Sequence, residues 1–218
     1  MERDTRAPPA ELGSAGKWPI RNEPGSNMAG KIPRTVFALV EPAVWSLAAR
    51  LLILTTGRRG SVKHQPTVAT FYETGIVTAL YEALLMSPVL AHLDIRHEMA
   101  FKLTKGRGAP KQVDLWLRPY NGGHPLMIEA GDFTAGKVHR DLAKLKLLNP
   151  AGTNWFLAFF RDPPTAEAPL QELQRSFGRR NGLDSSKVKM ESALVRTFDV
   201  YRPGAAPDKF GVALLRGI

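Results

Sequence analysis

Cysteine is absent from the 218 residues, which removes a disulfide framework, a cysteine nucleophile and a thiolate zinc site together. Also missing are the phosphate-loop pattern GxxxxGK[ST], the dinucleotide pattern GxGxxG and the serine elbow GxSxG. P-loop nucleotide hydrolysis, dinucleotide redox chemistry and the common serine hydrolases are therefore excluded. None of the histidines His64, His92, His97, His124 and His139 falls in HExxH or HxxxH spacing, so a zinc protease is not expected either. Negative charge is scarce: 20 Asp and Glu stand against 30 Lys and Arg, a net charge of +10. Such an excess points to a polyanionic partner, nucleic acid first and an anionic membrane second.

An uninterrupted membrane-length apolar run is lacking too. Residues 36–54 come nearest, but Glu41, Pro42 and Arg50 break the run. Each ionised side chain costs about 2.5–3.5 kcal/mol at membrane depth. A buried helix beginning near Pro42 explains the pattern without lipid, and no membrane partner is expected.

Hydrophobic residues make up 44% of the chain, enough for one core. Residues 1–31 hold Pro8, Pro9, Pro19 and Pro24 with little apolar periodicity, and read as a flexible Pro/Gly-rich tail. Arg3, Arg6, Lys17, Arg21 and Lys31 nearly balance Glu2, Asp4, Glu11 and Glu23 there. The excess positive charge thus belongs to a single folded domain over 32–218. The tail has no secretory apolar core, and its acids argue against a transit peptide, so a cytoplasmic location is expected.

Periodicity supplies the elements. Phe71, Ile76, Val77, Leu80 and Leu84 recur at helical spacing within 68–86. Residues 94–103 and 112–118 alternate like strands, joined by a turn at 106–110. A short run, 126–128, ends as a strand at Glu129. A Gly-rich loop over 131–136 then leads to a basic helix over 138–148. Strands at 155–160 and 193–201, a helix at 166–177 and a mobile loop at 175–189 complete the reading. The order is helix, three strands, helix, strand, helix, strand: an α/β domain with a mixed central sheet flanked by helices.

Three acids stand out by position. Asp114 sits within an apolar strand, Glu129 closes the next, and Glu73 shares a helical face with Val77, Leu80 and Leu84, so it points toward the sheet. A carboxylate inside a strand is costly unless it is paired or binds a cation, and hard oxygen donors favour Mg²⁺ or Mn²⁺. The plain alternative is pairing with nearby basic side chains.

Gln112-Val113-Asp114, Ile128-Glu129 and the basic segment from Lys137 to Lys146, in that element order, resemble the restriction-endonuclease-like nucleases, the PD-(D/E)XK superfamily. The resemblance covers roughly half the chain. It implies a core of helix, three-stranded meander, helix and strand, with Glu73, Asp114 and Glu129 binding divalent metal. It also implies a lysine two residues after Glu129 that helps to activate water, and here that position is Gly131. Lys137 is the first candidate for a displaced lysine and Lys144 the second. Lys105, Arg107, Lys111, Arg140, Lys146, Arg179 and Arg180 supply phosphate contacts. His139 lies near Lys137 in sequence, whereas His97 and Glu98 are strand neighbours expected to face opposite ways. The expected function is a Mg²⁺-dependent endodeoxyribonuclease. The alternative is a catalytically impaired relative that binds nucleic acid or serves as a partner subunit, with a homodimer left open.

Overall fold

The computed structural model describes residues 28–56, 73–101, 111–161, 182–200 and 207–218. Helix α1 (Met28–Thr56) buries Ile32, Val36, Phe37, Val40, Ala43 and Val44, a stripe at three- and four-residue spacing. This corrects the expectation of a helix starting near Pro42 and of a tail reaching residue 31. Both Pro33 and Pro42 lie inside α1. Each removes a backbone donor, but the apolar stripe extends upstream past both, so burial outweighs the lost bonds. No helix among the described residues is long and apolar enough to cross a membrane.

Helix α2 (Glu73–Leu85) packs on α1 through Ile76, Val77, Leu80 and Leu84. Residues 57–72, which include the start of the expected helix, lie outside the described residues. Then come β1 (Leu93–Phe101), β2 (Lys111–Pro119), β3 (Leu126–Asp132), α3 (Ala135–Leu148), β4 (Thr153–Arg161), β5 (Val188–Val200) and β6 (Asp208–Gly217). They form one six-stranded sheet in the order β1-β2-β3-β4-β6-β5. Among the described strands only β3 and β4 pair in parallel, and α3 makes the crossover that a parallel pair requires. The mixed α/β sheet expected from the sequence is present.

The two faces of the sheet have separate cores. Leu115, Leu117, Ile128, Leu157 and Leu214 pack beneath α1 and α2. Trp116, Met127, Phe156, Ala158 and Leu215 pack beneath α3. Alternating strand residues thus feed alternate layers, and both faces of β3 and β4 are covered.

Four local expectations change. Strand β3 continues through Glu129 to Asp132, because Ala130, Gly131 and Asp132 pair with Leu157, Ala158 and Phe159. Helix α3 begins at Ala135, so little of the Gly-rich segment is loop and Lys137 is already helical. Strand β5 starts at Val188, earlier than expected, with an irregular register between Met190 and Val195. Strand β6 was not foreseen: it inserts between β4 and β5, where Phe210, Val212, Ala213, Leu214 and Leu215 are all buried. The turn at 106–110, the helix at 166–177 and residues 175–181 of the expected loop lie outside the described residues; the rest of that loop holds a turn over 185–187 and the start of β5.

Phe156 is fully buried in the central strand, beneath α3. Phe156→Ala should lower unfolding stability by about 3–5 kcal/mol. Val89→Ala, at an exposed site, should stay within about 0.5 kcal/mol. Urea titration followed by circular dichroism measures both.

Candidate functional site

Strands β2 and β3 run antiparallel with Leu115 opposite Ile128. That register places Asp114 beside Glu129, and alternation turns both toward the α3 side with Trp116 and Met127. Glu129 is only 4% exposed. Lys144, reaching down from α3, brings Nζ to 2.5 Å from its Oε1. The same ammonium donates to the Gln112 carbonyl at 3.0 Å. Lys144 is therefore the charged partner that the buried Oε1 meets. Burial, and secondarily the charge of Asp114, push the Glu129 carboxyl up to about 7 despite Lys144. Asp114 is raised as well, by burial, against the opposing pull of the Ala130 N–H, which donates to its Oδ2 at 2.7 Å.

At the C-terminal end of β3, Gly131 has φ 151°, a region that side chains other than glycine rarely adopt. A Cβ built there would run into Lys137 Cε, with Lys137 Nζ at 2.7 Å and Glu73 Oε2 at 2.6 Å. Lys137, from the first turn of α3, therefore fills the space into which a side chain at 131 would project. Its Nζ donates to Glu73 Oε1 at 3.2 Å and lies 3.4 Å from Asp141 Oδ2. Burial pulls the Lys137 ammonium down, but the Glu73 and Asp141 carboxylates together outweigh it and hold the group above the usual lysine value. Glu73, the first residue of α2, is raised by burial against the pull of Lys137.

Glu73, Asp114 and Glu129 thus share one neighbourhood, and Asp114 acts on both of the others electrostatically. They do not converge on a point. Glu73 is held by Lys137, Asp114 by a backbone N–H and Glu129 by Lys144. Among the described residues no three acidic or imidazole side chains form a ready-made metal cluster. The donor chemistry at Asp114 and Glu129 nonetheless suits a hard cation, since two carboxylates on adjacent strands offer oxygen ligands side by side.

The other expected residues divide. Lys111 opens β2 at the surface, and Arg140 is exposed with its Nε 3.6 Å from Asp141 Oδ1. Lys146 lies on the opposite flank of α3 from Lys137 and donates to the Ile218 carbonyl at 3.2 Å. His139 shares that flank and accepts from the Asp184 N–H at 3.3 Å, so sequence proximity to Lys137 does not become spatial proximity. Lys105, Arg107, Arg179 and Arg180 lie outside the described residues. The expectation that His97 and Glu98 face apart is corrected. Glu98 has φ 51°, which breaks the strand alternation, and its Oε1 comes to 4.0 Å from His97 Nε2. Asp141 escaped the sequence reading, although an acid among Val138, Leu142 and Leu145 on the buried stripe of α3, four residues after Lys137, was a usable signal.

Gly131→Ala should cost roughly 1–3 kcal/mol of stability through backbone strain and displace Lys137, read by urea titration beside Lys137→Ala. A pH effect follows from Glu129. Its folded value near 7 exceeds that of the unfolded chain, so the native state binds the extra proton and stability falls as pH rises from about 5 through 7. This component is about 3 kcal/mol at most. In metal-free buffer, Glu129→Gln should flatten that dependence of the urea midpoint.

Comparison of the chain with protein-family models, characterised proteins and solved structures finds no match.

Proposed function

We propose that this chain is a metal-dependent nuclease of the restriction-endonuclease-like (PD-(D/E)XK) type, hydrolysing phosphodiester bonds with DNA as its first substrate. The observation that carries this reading is the exchange at Gly131. The ammonium of Lys137 occupies the space of the residue two positions after Glu129, so a lysine displaced in sequence is restored in space. The order α2, β1, β2, β3, α3, β4, with a parallel β3/β4 pair around α3, supports the same reading.

Asp114 and Glu129 would hold Mg²⁺ or Mn²⁺, and the bound cation would supply polarisation of the phosphodiester and of the attacking water. The chain's own groups do the rest. Lys137, oriented by Glu73 and Asp141, offers positive charge to the oxygens on which charge builds during in-line attack. Because its ammonium is held protonated, it acts as an electrostatic and hydrogen-bonding group rather than as a base. Lys144 compensates Glu129, and its second contact, to the Gln112 carbonyl, gives it a place to remain when that carboxylate turns to a cation.

A second reading, a nucleic-acid-binding or partner subunit without activity, draws on the fact that both lysines already neutralise the acids they touch. Plasmid cleavage in EDTA, Mg²⁺ and Mn²⁺ separates the two. Under the nuclease reading, nicking requires metal, Asp114→Ala and Glu129→Ala abolish it, and Lys137→Ala slows it by about 10²–10³-fold. Inert wild-type protein that still shifts DNA in a salt-dependent way would leave the binding reading in its place.

A further inference from the structure

Two lysines of α3 stand over the carboxylate site, and they are held differently. Lys137 lies between two acids, with its Nζ 3.2 Å from Glu73 and 3.4 Å from Asp141. Lys144 meets one, Glu129, at 2.5 Å, and its other contact is to a neutral group, the Gln112 carbonyl at 3.0 Å. If one carboxylate turns to another cation, Lys137 keeps an acid within reach, whereas Lys144 keeps only a carbonyl.

The charges beneath Lys144 do not balance when both acids are ionised. Asp114 and Glu129 bring two negative charges and Lys144 one positive, and Asp114 itself is met by a neutral donor, the Ala130 N–H at Oδ2. A divalent cation on the pair closes that deficit and makes Lys144 the surplus. The ammonium cannot share the oxygen with it. Ligand oxygens lie about 2.0–2.1 Å from Mg²⁺, so an ammonium kept on Glu129 Oε1 would stand within a few ångströms of a double positive charge. Lys144 also has a way out. Its side chain is 24% exposed against 6% for that of Glu129, so it sits where the buried floor meets solvent, and Arg140, one turn before it on α3, is exposed.

We propose that Lys144 is an exchange group: its ammonium leaves Glu129 when a divalent cation binds at Asp114 and Glu129, keeps one N–H on the Gln112 carbonyl, and turns its other two donors to a phosphate of the bound strand. Lys144 thus passes from neutralising the protein's own carboxylate to neutralising the substrate. Metal and polyanion then bind cooperatively, each favouring the released position of one side chain. The inference rests on the nuclease reading for the cation and the strand; the contacts themselves decide which of the two lysines leaves.

The test uses the full chain, first without nucleic acid. Brief acetylation by an N-hydroxysuccinimide ester, mapped by peptide mass spectrometry, reports how free each lysine is, and electron paramagnetic resonance counts bound Mn²⁺. From EDTA to saturating Mn²⁺, labelling of Lys144 should rise several-fold. Lys137, still held by Asp141, and Lys146, held by the Ile218 carbonyl, should keep their rates. Glu129→Gln should label Lys144 at the higher rate already in EDTA. A second arm follows a fluorescein-labelled DNA duplex by anisotropy across a salt series, in EDTA and in Ca²⁺, which takes the same oxygen donors. One phosphate contact contributes about 0.9 to the logarithmic salt slope. Lys144→Gln should make the slope shallower by that amount in Ca²⁺ and leave it unchanged in EDTA, while Lys144→Arg keeps the wild-type slopes. A lysine that always contacts phosphate would lower the slope in both buffers and one that never leaves Glu129 in neither; either result overturns the exchange. The labelling arm needs no variant at Lys144, so it decides even if Lys144→Gln does not fold. Bound Mn²⁺ with unchanged Lys144 labelling overturns the exchange and, if plasmid is still nicked, leaves the nuclease reading standing. Release of Lys144 by Mn²⁺ in a protein that neither binds nor cuts DNA would keep the exchange and sink the nuclease reading, and a protein that binds no Mn²⁺ overturns both.

Discussion

A carboxylate buried inside a sheet needs a positive charge above it, and Glu129 sets that demand for the whole α3 side of the domain. With 4% of its surface exposed, it cannot be solvated by water, so compensation must come from the layer that covers it. Lys144 provides it, which requires α3 to lie over β3 with that flank turned toward Asp114 and Glu129. The pose is possible because α3 connects two neighbouring parallel strands and must cross the sheet between them.

Once α3 is held this way, the position of Lys137 follows from helical geometry. Lys137 lies seven residues before Lys144, two turns along the same flank, and so reaches the C-terminal end of β3 where Gly131 has no side chain. Glu73 and Asp141 fix its ammonium from two directions. Two of the elements that meet there, α2 and α3, belong to opposite layers of the domain, and they touch at the strand end where the absent Cβ leaves room.

Much of this arrangement was legible along the chain. The alternation in β1 and β2, the helical spacing of α2 and α3 and the isolated acids Asp114 and Glu129 are local signals, because burial of one face repeats every second residue in a strand and every three or four in a helix. The readings that failed are those decided by distant partners. Strand β3 extends through Gly131 because β4 pairs with it, and β6 is a strand because β4 and β5 flank it on both sides. His97 and Glu98 come together because a positive φ reverses one peptide, which the alternation of neighbouring residues does not encode.

The sequence by itself determined the class of the fold, the excess of positive charge and which carboxylates were out of place, since each depends on composition or on neighbours a few residues away. Only the tertiary structure decided which lysine meets which acid. Lys137 and Lys146 look alike in a basic helix, yet one faces Glu73 and the other the Ile218 carbonyl. The physical reason is that charge pairing acts over a few ångströms of space, and separations of 64 and 72 residues along the chain collapse to such distances only when the strands, their register and the crossover helix are in place.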